Sequence, residues 1–441
     1  MIHIEQITDF LSTIYEFINS SFSFDDIQSN NENILTKTFN QFRNLTDQIP
    51  EELENLKNNI IINPNNMQLV DKYKQFLFST SIKTILEHLK SFYIDFKNIY
   101  PQINKGQLDL ILGIKDNFNL DDLTHSLLLI FTSKLCRTSL PSISFDLIME
   151  AFKIKNDLAK FLGLDHLKNY IFKEEVLSEQ LLVDNCPICG EKGAPFHNAP
   201  CYNMINYTDN FLPSKLWMKC NSCENLYSKY YPHKFFNTNH SIKVIRNGVT
   251  PTPSHLQSNV STHTLRNWCD ILNNISEYSN GTDILEIGIG KGALIATALE
   301  FGYSIDCIEI DENIAYEISN ILNHDIICCD FLNFRTDKTY DIITMGDVIE
   351  HLSNPINGLK KAYSLLNDDG VLWISTPNYN SAFNKLHKIN TAMWNEPYHL
   401  TYFSKTGLEN IIKKLGFEIL DYRISINYNG SMEIILKKVR I

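Results

Sequence analysis

Asp347-Val-Ile-Glu350-His351 packs two carboxylates and an imidazole into one short run. If the segment turns helical there, the three side chains share one face. Such a mixed oxygen and nitrogen set suits Mg²⁺, Mn²⁺, Fe²⁺ or Zn²⁺. A cation held this way would bind a substrate hydroxyl or diol and stabilise its alkoxide. The metal-free alternative makes His351 a general base, or a group that bonds a cofactor.

A second constellation lies upstream. Asp283-Ile-Leu-Glu286-Ile-Gly288-Ile-Gly290-Lys-Gly292 reads as a buried strand, a glycine turn and a helix starting at Ala293. Glycine lets the backbone turn sharply and approach a ligand without a Cβ in the way. The next strand, Ser304 to Glu309, ends on an acid that can accept from both hydroxyls of a ribose. Asp330, after a third strand from Asp325 to Cys328, can accept from an adenine amino group, with Phe331 covering the ring. Gly288, Gly290 and Ala293 also satisfy the dinucleotide fingerprint. Glu286 argues against a dinucleotide, since a pyrophosphate would not want a carboxylate nearby, whereas a cationic amino-acid moiety would.

Four of the 10 cysteines form two pairs, Cys186-Pro-Ile-Cys189 and Cys220-Asn-Ser-Cys223. Two such knuckles separated by about 30 residues can place four thiolates around one tetrahedral Zn²⁺. Four protein ligands leave no position for water, so the role expected is structural. Metal binding would supply about 10 kcal/mol or more of folding free energy to a stretch that otherwise lacks a core. His197 and Cys201 lie inside the insert at poorer spacing, and four free thiols remain the alternative.

Three later segments carry a family resemblance. They are Tyr340-Asp-Ile-Ile-Thr-Met-Gly through Pro355, Val371-Leu-Trp-Ile-Ser-Thr-Pro377-Asn378, and Tyr398-His399-Leu-Thr-Tyr-Phe403 with Leu415-Gly416-Phe417-Glu418. From about residue 260 to 440 the chain resembles class I S-adenosylmethionine-dependent methyltransferases. The resemblance implies an α/β, Rossmann-like, seven-stranded domain. It implies that Glu286, Gly288, Gly290, Gly292, Glu309, Asp330, Phe331 and Asp347 line the S-adenosylmethionine site, with His351, Glu350 and His399 catalytic. The cysteine module in turn resembles the zinc ribbon found in front of many bacterial methyltransferase domains. Two groups are most similar: ubiquinone-biosynthesis O-methyltransferases and small-RNA 3′-terminal 2′-O-methyltransferases. Both carry an acid-x-x-Glu-His run that binds a divalent metal, and here Asp347 stands where the first Glu is usual. The RNA group adds a downstream histidine, for which His399 is the match, and Ser375-Thr-Pro-Asn-Tyr with Asn384 adds to that likeness. By this resemblance Asp347, Glu350, His351 and His399 are the candidate ligands of a second metal, Mg²⁺ or another divalent cation.

The elements that must position these groups fall into regions. Residues 1–180 read as an all-α domain, with apolar residues at helical spacing from Ile4 to Ile18, from Leu69 to Leu89 and from Ser142 to Phe161. Residues 183–235 form the zinc-binding module, 236–258 a polar, proline-containing linker, and 255–441 the alternating strands and helices of the methyltransferase domain. The 441 residues, 44% hydrophobic and 20% charged, suit a soluble multi-domain protein. No apolar run is long enough for a membrane helix and no secretory signal is visible, which points to the cytoplasm. A net charge of −12 opposes general nucleic-acid binding. The zinc-ribbon resemblance implies a small biosynthetic acceptor, methylated at oxygen ahead of nitrogen or carbon. The alternatives are RNA or a peptide held by the helical region, or a non-catalytic binding platform that senses cofactor. Trp394, Tyr398 and Tyr402 are read as lid residues facing substrate or as core aromatics.

Overall fold

The computed structural model describes residues 122–161, 171–201, 211–232, 242–245, 262–388, 391–426 and 428–439. The helices expected over Ile4–Ile18 and Leu69–Leu89 and the Thr250-Pro251-Thr252-Pro253 stretch lie outside them. The chain divides into two units, Met1–Gln180 with Pro195–Trp217, and Leu181–Ala194 with Met218–Ile441.

In the first unit, helices α1 (Asp122–Leu135) and α2 (Pro141–Ile154) pack on one another. Pro141 sits in the first turn of α2, where its missing N–H costs nothing. The expected helix Ser142–Phe161 is shorter: α2 ends at Ile154, and a single 3₁₀ turn follows at Leu158–Phe161. The interruption falls where Phe172 N donates to Asn156 O at 2.8 Å, a carbonyl taken out of the helical ladder. A buried polar chain joins the helices to the later segment. Ser144 Oγ donates to Ser133 O (2.7 Å), Asn198 Nδ2 to Ser144 Oγ (2.8 Å), and Ser214 Oγ to Asn198 Oδ1 (2.6 Å). A short helix α3 (Glu175–Ser178) and strands β1 (Gln180–Leu182), β2 (Gly193–Pro200) and β3 (Ser214–Cys220) follow, the last three running across the division between units.

The second unit holds β4 (Leu226–Ser228), β5 (Tyr230–Pro232), β6 (Lys243–Ile245), α4 (Thr262–Ser276), β7 (Asp283–Ile287), α5 (Ala293–Glu300), β8 (Ser304–Glu309), α6 (Glu312–Leu322), β9 (Ile326–Cys328), β10 (Tyr340–Gly346), α7 (Pro355–Leu365), β11 (Leu366–Pro377), α8 (Ala382–His387), β12 (Thr401–Tyr402), α9 (Lys405–Lys414), β13 (Phe417–Ile424) and β14 (Ser431–Lys438). One sheet runs in the order β13-β14-β11-β10-β7-β8-β9-β6. The five strands from β11 to β9 are parallel, and β13, β14 and β6 pair antiparallel at its two ends. Burial on both faces explains why β7 and β10 read as near-continuous apolar runs. Ile284, Ile342 and Trp373 of the sheet pack with Ile271 of α4 and Leu294 and Ile295 of α5 in one core.

The sheet has eight strands where seven were expected. The extra one is β6, which comes from the polar stretch read as a linker. Lys243, Val244 and Ile245 pair with Cys328, Ile327 and Ile326, Ser319 Oγ donates to Ile245 O at 3.1 Å, and Lys243 bridges Glu312 at 3.0 Å. Three residues are too few to register as a period in the sequence. Helix starts follow local signals: Asp311 accepts from Asn313 N and Ile314 N, and Ser404 Oγ from Gly407 N.

Candidate functional site

The glycine turn leaves the C-terminal end of β7, beside the C-terminal end of β10, its parallel neighbour. Gly288, Gly290 and Gly292 all have positive φ, of 74°, 50° and 73°. Their surroundings differ. A Cβ on Gly288 would lie 2.7 Å from Val348 Cγ2, and one on Gly292 2.9 Å from Ile318 Cδ1. A Cβ on Gly290 would meet nothing within 4 Å. Gly290 is thus the point where the turn presents bare backbone to open space, and the other two fit the turn against the fold.

Two acids flank the turn. Glu286 is buried, its Oε2 has no hydrogen-bond partner, and burial, then the nearby charge of Glu309, pushes its carboxyl well above the usual range. An ammonium group placed there would satisfy that oxygen and restore the charged form. Glu309, also buried, is partly committed to the loop: Oε2 accepts from Ile289 N (3.1 Å) and Oε1 from Asp311 N (2.8 Å). Its remaining lone pairs are what a ribose could use. Asp330 accepts from Leu332 N at 3.0 Å and from Asn333 Nδ2 at 3.3 Å. Phe331 is buried, with Lys361 Nζ 5.2 Å from its ring centre.

Beyond β10 the chain turns through Asp347, whose φ is 54°, into a 3₁₀ turn, Ile349–His351. Glu350, His351 and His399 come together here, each offering a ligand atom within 4.8 Å of the others. Glu350 is fully buried. Its Oε2 accepts from Thr376 Oγ1 at 3.0 Å, its Oε1 has no partner, and burial, then the Asp347 charge, raises its carboxyl well above the usual range. His351 and His399 meet edge to face at 4.5 Å. His351 Nδ1 lies 3.2 Å from Tyr398 O, an acceptor, so Nδ1 carries the proton. Tyr402 donates its hydroxyl proton to Met393 O, so at 2.7 Å its oxygen accepts from His399 Nδ1. In both imidazoles Nδ1 is therefore the donor, and the neutral form of each ring would carry its lone pair on Nε2.

The four cysteines also converge, with Sγ atoms within 4.8 Å of one another, Cys186 3.7 Å from Cys223 and Cys189 3.3 Å from Cys220. Disulfides need about 2.05 Å, whereas a tetrahedron of Zn–S bonds of about 2.3 Å sets sulfurs about 3.8 Å apart. The spacing fits a metal. Gly190 (φ 81°) and Glu224 (φ 59°) make the knuckle turns, and Gly190 N donates to Cys186 O at 2.8 Å. Among the described residues, His197 and Cys201 are not in this group.

Comparison with known proteins accords with this geometry. The family model described as Methyltransferase domain matches residues 260–422. A ubiquinone biosynthesis O-methyltransferase of Glaesserella parasuis serovar 5 (strain SH0165) is 34% identical over 109 residues, covering 22% of this chain and 46% of that protein. One of Rickettsia bellii (strain OSU 85-389) is 31% identical over 111 residues, covering 23% and 46%. Residues 260–422 are a class I S-adenosylmethionine-dependent methyltransferase domain. An (S)-tetrahydroprotoberberine N-methyltransferase of Eschscholzia californica is 29% identical over 122 residues, covering 25% of this chain and 35% of that protein. The chain thus spans less than half the length of these curated relatives.

Within the methyltransferase domain, one expectation needs correction and one alternative is resolved. Asp347 stays outside the Glu350, His351 and His399 group. The segment is not α-helical at that position, so the shared face does not form. Asp347 instead accepts from Ser375 Oγ at 3.3 Å, and burial, with a further push from Glu433, raises its carboxyl to about 6. Trp394 and Tyr402 are core aromatics, 5% and 0% exposed, and Trp394 Nε1 donates to Lys388 O at 3.0 Å. Tyr398 is half-buried and contributes its carbonyl to His351. Thr376 and Tyr402 fix the orientation of the acid and the second histidine, roles that no local motif announces.

Proposed function

We propose that the protein is an S-adenosylmethionine-dependent methyltransferase acting on a small biosynthetic acceptor, at oxygen. The observation that carries this is the convergence of Glu350, His351 and His399 on the strand end next to the glycine turn. The names of the similar proteins, which act at oxygen or nitrogen, support the reaction class.

Glu286, Gly288, Gly290, Gly292, Glu309, Asp330 and Phe331 would hold S-adenosylmethionine, with the unpartnered Glu286 Oε2 and the open side of Gly290 fitting that role. The cofactor supplies a methyl group on a sulfonium that is already a good leaving group. The chain must align a nucleophile and take its proton. Alignment alone is worth about 7–11 kcal/mol at best. A neutral imidazole that donates through Nδ1, as His351 and His399 do here, is the base the acceptor hydroxyl needs. Glu350, His351 and His399 also suit a divalent cation: one carboxylate oxygen lacks a partner, and each residue offers a ligand atom within 4.8 Å of the others. Asp347 is not in that set. Cys186, Cys189, Cys220 and Cys223 would hold structural Zn²⁺. None of the cysteines is disulfide-bonded and no described helix is long and apolar enough to cross a membrane; we place the protein in the cytoplasm.

The histidine pair also favours a second reading, 2′-O-methylation of RNA, against which the net charge of −12 counts. One experiment separates the readings. The pure protein is incubated with methyl-labelled S-adenosylmethionine and a fractionated host extract, with and without chelator. Label in the small-molecule pool supports the proposal. Label released by nuclease or by protease overturns it in favour of RNA or peptide, and no label in any pool in favour of a cofactor-sensing platform.

A further inference from the structure

We infer that Asn225, at the end of the second cysteine knuckle, is a positioning residue for His399 and Glu350. It rests on the reading of Glu350, His351 and His399 as the reacting centre. In that case the four-cysteine module sets reaction geometry as well as its own fold.

Asn225 is fully buried and faces both ways. Its backbone carbonyl accepts from Cys220 N at 2.9 Å, which closes the knuckle. Its side-chain Oδ1 accepts from Ser404 N at 3.1 Å, at the head of α9. Helix α9 has a glycine where the carboxamide lies: a Cβ on Gly407 would sit 2.2 Å from Asn225 Oδ1. The side chain is thus held by one hydrogen bond through Oδ1 and by close packing on Gly407, while its Nδ2 is buried without a partner.

The residues after Asn225 continue the attachment. Leu226 and Tyr227 of β4 pair with Tyr402 and Thr401 of β12, and Ser228 N donates to Leu400 O at 2.8 Å. The Tyr379 hydroxyl donates to Glu224 O from the strand-end side. The segment held this way is the one that builds the site. It carries His399, the Tyr402 hydroxyl that orients His399, and the Tyr398 carbonyl that orients His351. It also holds Glu350, because Leu400 N donates to Glu350 O at 2.8 Å. Knuckle, Asn225, β4 and β12 are one hydrogen-bonded path ending on the two histidines and the acid.

A purely structural Asn225 would affect stability alone. A positioning Asn225 must change the histidines while leaving the cofactor loop intact. The test uses the full-length protein, Asn225→Ala, Asn225→Asp and Gly407→Ala, read by long-range ¹H–¹⁵N correlation of the imidazoles and by S-adenosylhomocysteine titration. Asp keeps the acceptor for Ser404 N. Ala is a better helix former than Gly, so a defect in Gly407→Ala comes from the collision with Asn225. We expect the Nδ1 protons of His399 and His351 to exchange roughly tenfold faster in Asn225→Ala and Gly407→Ala, the loss of about one net hydrogen bond of protection. His324, which bonds Ile305 O elsewhere in the sheet, should not change. Asn225→Asp should restore slow exchange, and S-adenosylhomocysteine affinity should stay within twofold throughout. Unchanged imidazole signals in the folded variants, or failure of Asp to rescue, would overturn the inference. If Asn225→Ala does not fold, Gly407→Ala decides alone. The readout needs no acceptor, so an absence of turnover would sink the proposed function and leave this result standing.

Discussion

Gly290 and Gly292 share a positive φ, of 50° and 73°, and differ in what surrounds them, so replacing each by alanine should produce opposite defects. For an L-residue the left-handed region costs about 1–2 kcal/mol, partly offset because alanine stiffens the unfolded chain by about 0.4–1 kcal/mol. At Gly290 nothing lies within 4 Å of the added Cβ, so stability should fall by only about 1 kcal/mol. At Gly292 the Cβ would lie 2.9 and 3.0 Å from two atoms of Ile318, a core residue only 2% exposed that would have to shift. Overpacking there adds about 1–3 kcal/mol. The thermal midpoint of Gly292→Ala should therefore fall by several degrees more than that of Gly290→Ala, at about 2–4 °C per kcal/mol. Binding should rank the other way. If the open side of Gly290 is where S-adenosylhomocysteine lies against the backbone, the new methyl costs about 1–3 kcal/mol of affinity, roughly 5- to 150-fold in Kd. Differential scanning fluorimetry without ligand and calorimetric titration with S-adenosylhomocysteine measure the two quantities. Gly290→Ala binding within twofold of the native protein would show that the cofactor does not approach that side of the turn, and the site assignment would fail.

Three further outcomes follow from the same geometry. Glu286 holds its proton above the ordinary value of 4.5 because it is buried, with the Glu309 charge adding to that. The folded state then binds more protons than the unfolded one, so this group's contribution to stability is fully present below pH 4.5 and is lost as pH rises through the raised value. The ligand-free midpoint of Glu286→Gln should decline less over that rise than that of the native protein, and S-adenosylhomocysteine affinity should increase with pH only where Glu286 is present; parallel pH profiles would refute this. Tyr402→Phe removes the acceptor that fixes His399 Nδ1–H, so the ¹⁵N shifts of His399 should report mixed tautomers while those of His351 persist; an unchanged His399 spectrum would exclude the tautomer assignment. Cys220→Ser should lower bound zinc, measured by elemental analysis, from about one per chain and cost several kcal/mol of stability in denaturant unfolding; full zinc content would refute the four-thiolate site.

The sheet strands that carry the glycine turn were legible because buried parallel strands write themselves as apolar runs. β8 has the limits read from the sequence, and β10 and the glycine turn lie where the motifs put them. The cysteine group was legible for a related reason, since two knuckles encode their own geometry in their spacing. Asp347 shows where local reading stops. Its expected partnership with Glu350 required helical dihedrals, and a φ of 54° at that residue aims the carboxylate at Ser375 instead. Nothing in a five-residue motif states which side of a strand end the chain leaves by.

His399 shows the opposite case, a residue matched by likeness to one family whose placement depends on contacts far away in sequence. Its ring is oriented by Tyr402, Tyr402 is paired with Leu226, and Leu226 follows the knuckle of Cys220 and Cys223. Composition separated the cysteine module from the methyltransferase domain, because cysteines and turns look unlike alternating strands and helices. Hydrogen bonding joins them: Asn225 to Ser404, Ser228 to Leu400, Tyr379 to Glu224. The acid and both histidines lie within residues 260–422, but the segment that carries the second histidine is braced by residues 224–228, outside that range. A fragment cut at residue 255 would keep the glycine turn, Glu286 and Glu309, and hence the groups assigned to the cofactor. It would leave β12 without β4 and Ser404 N without Asn225, so it should lose the fixed histidine pair before it loses the cofactor site.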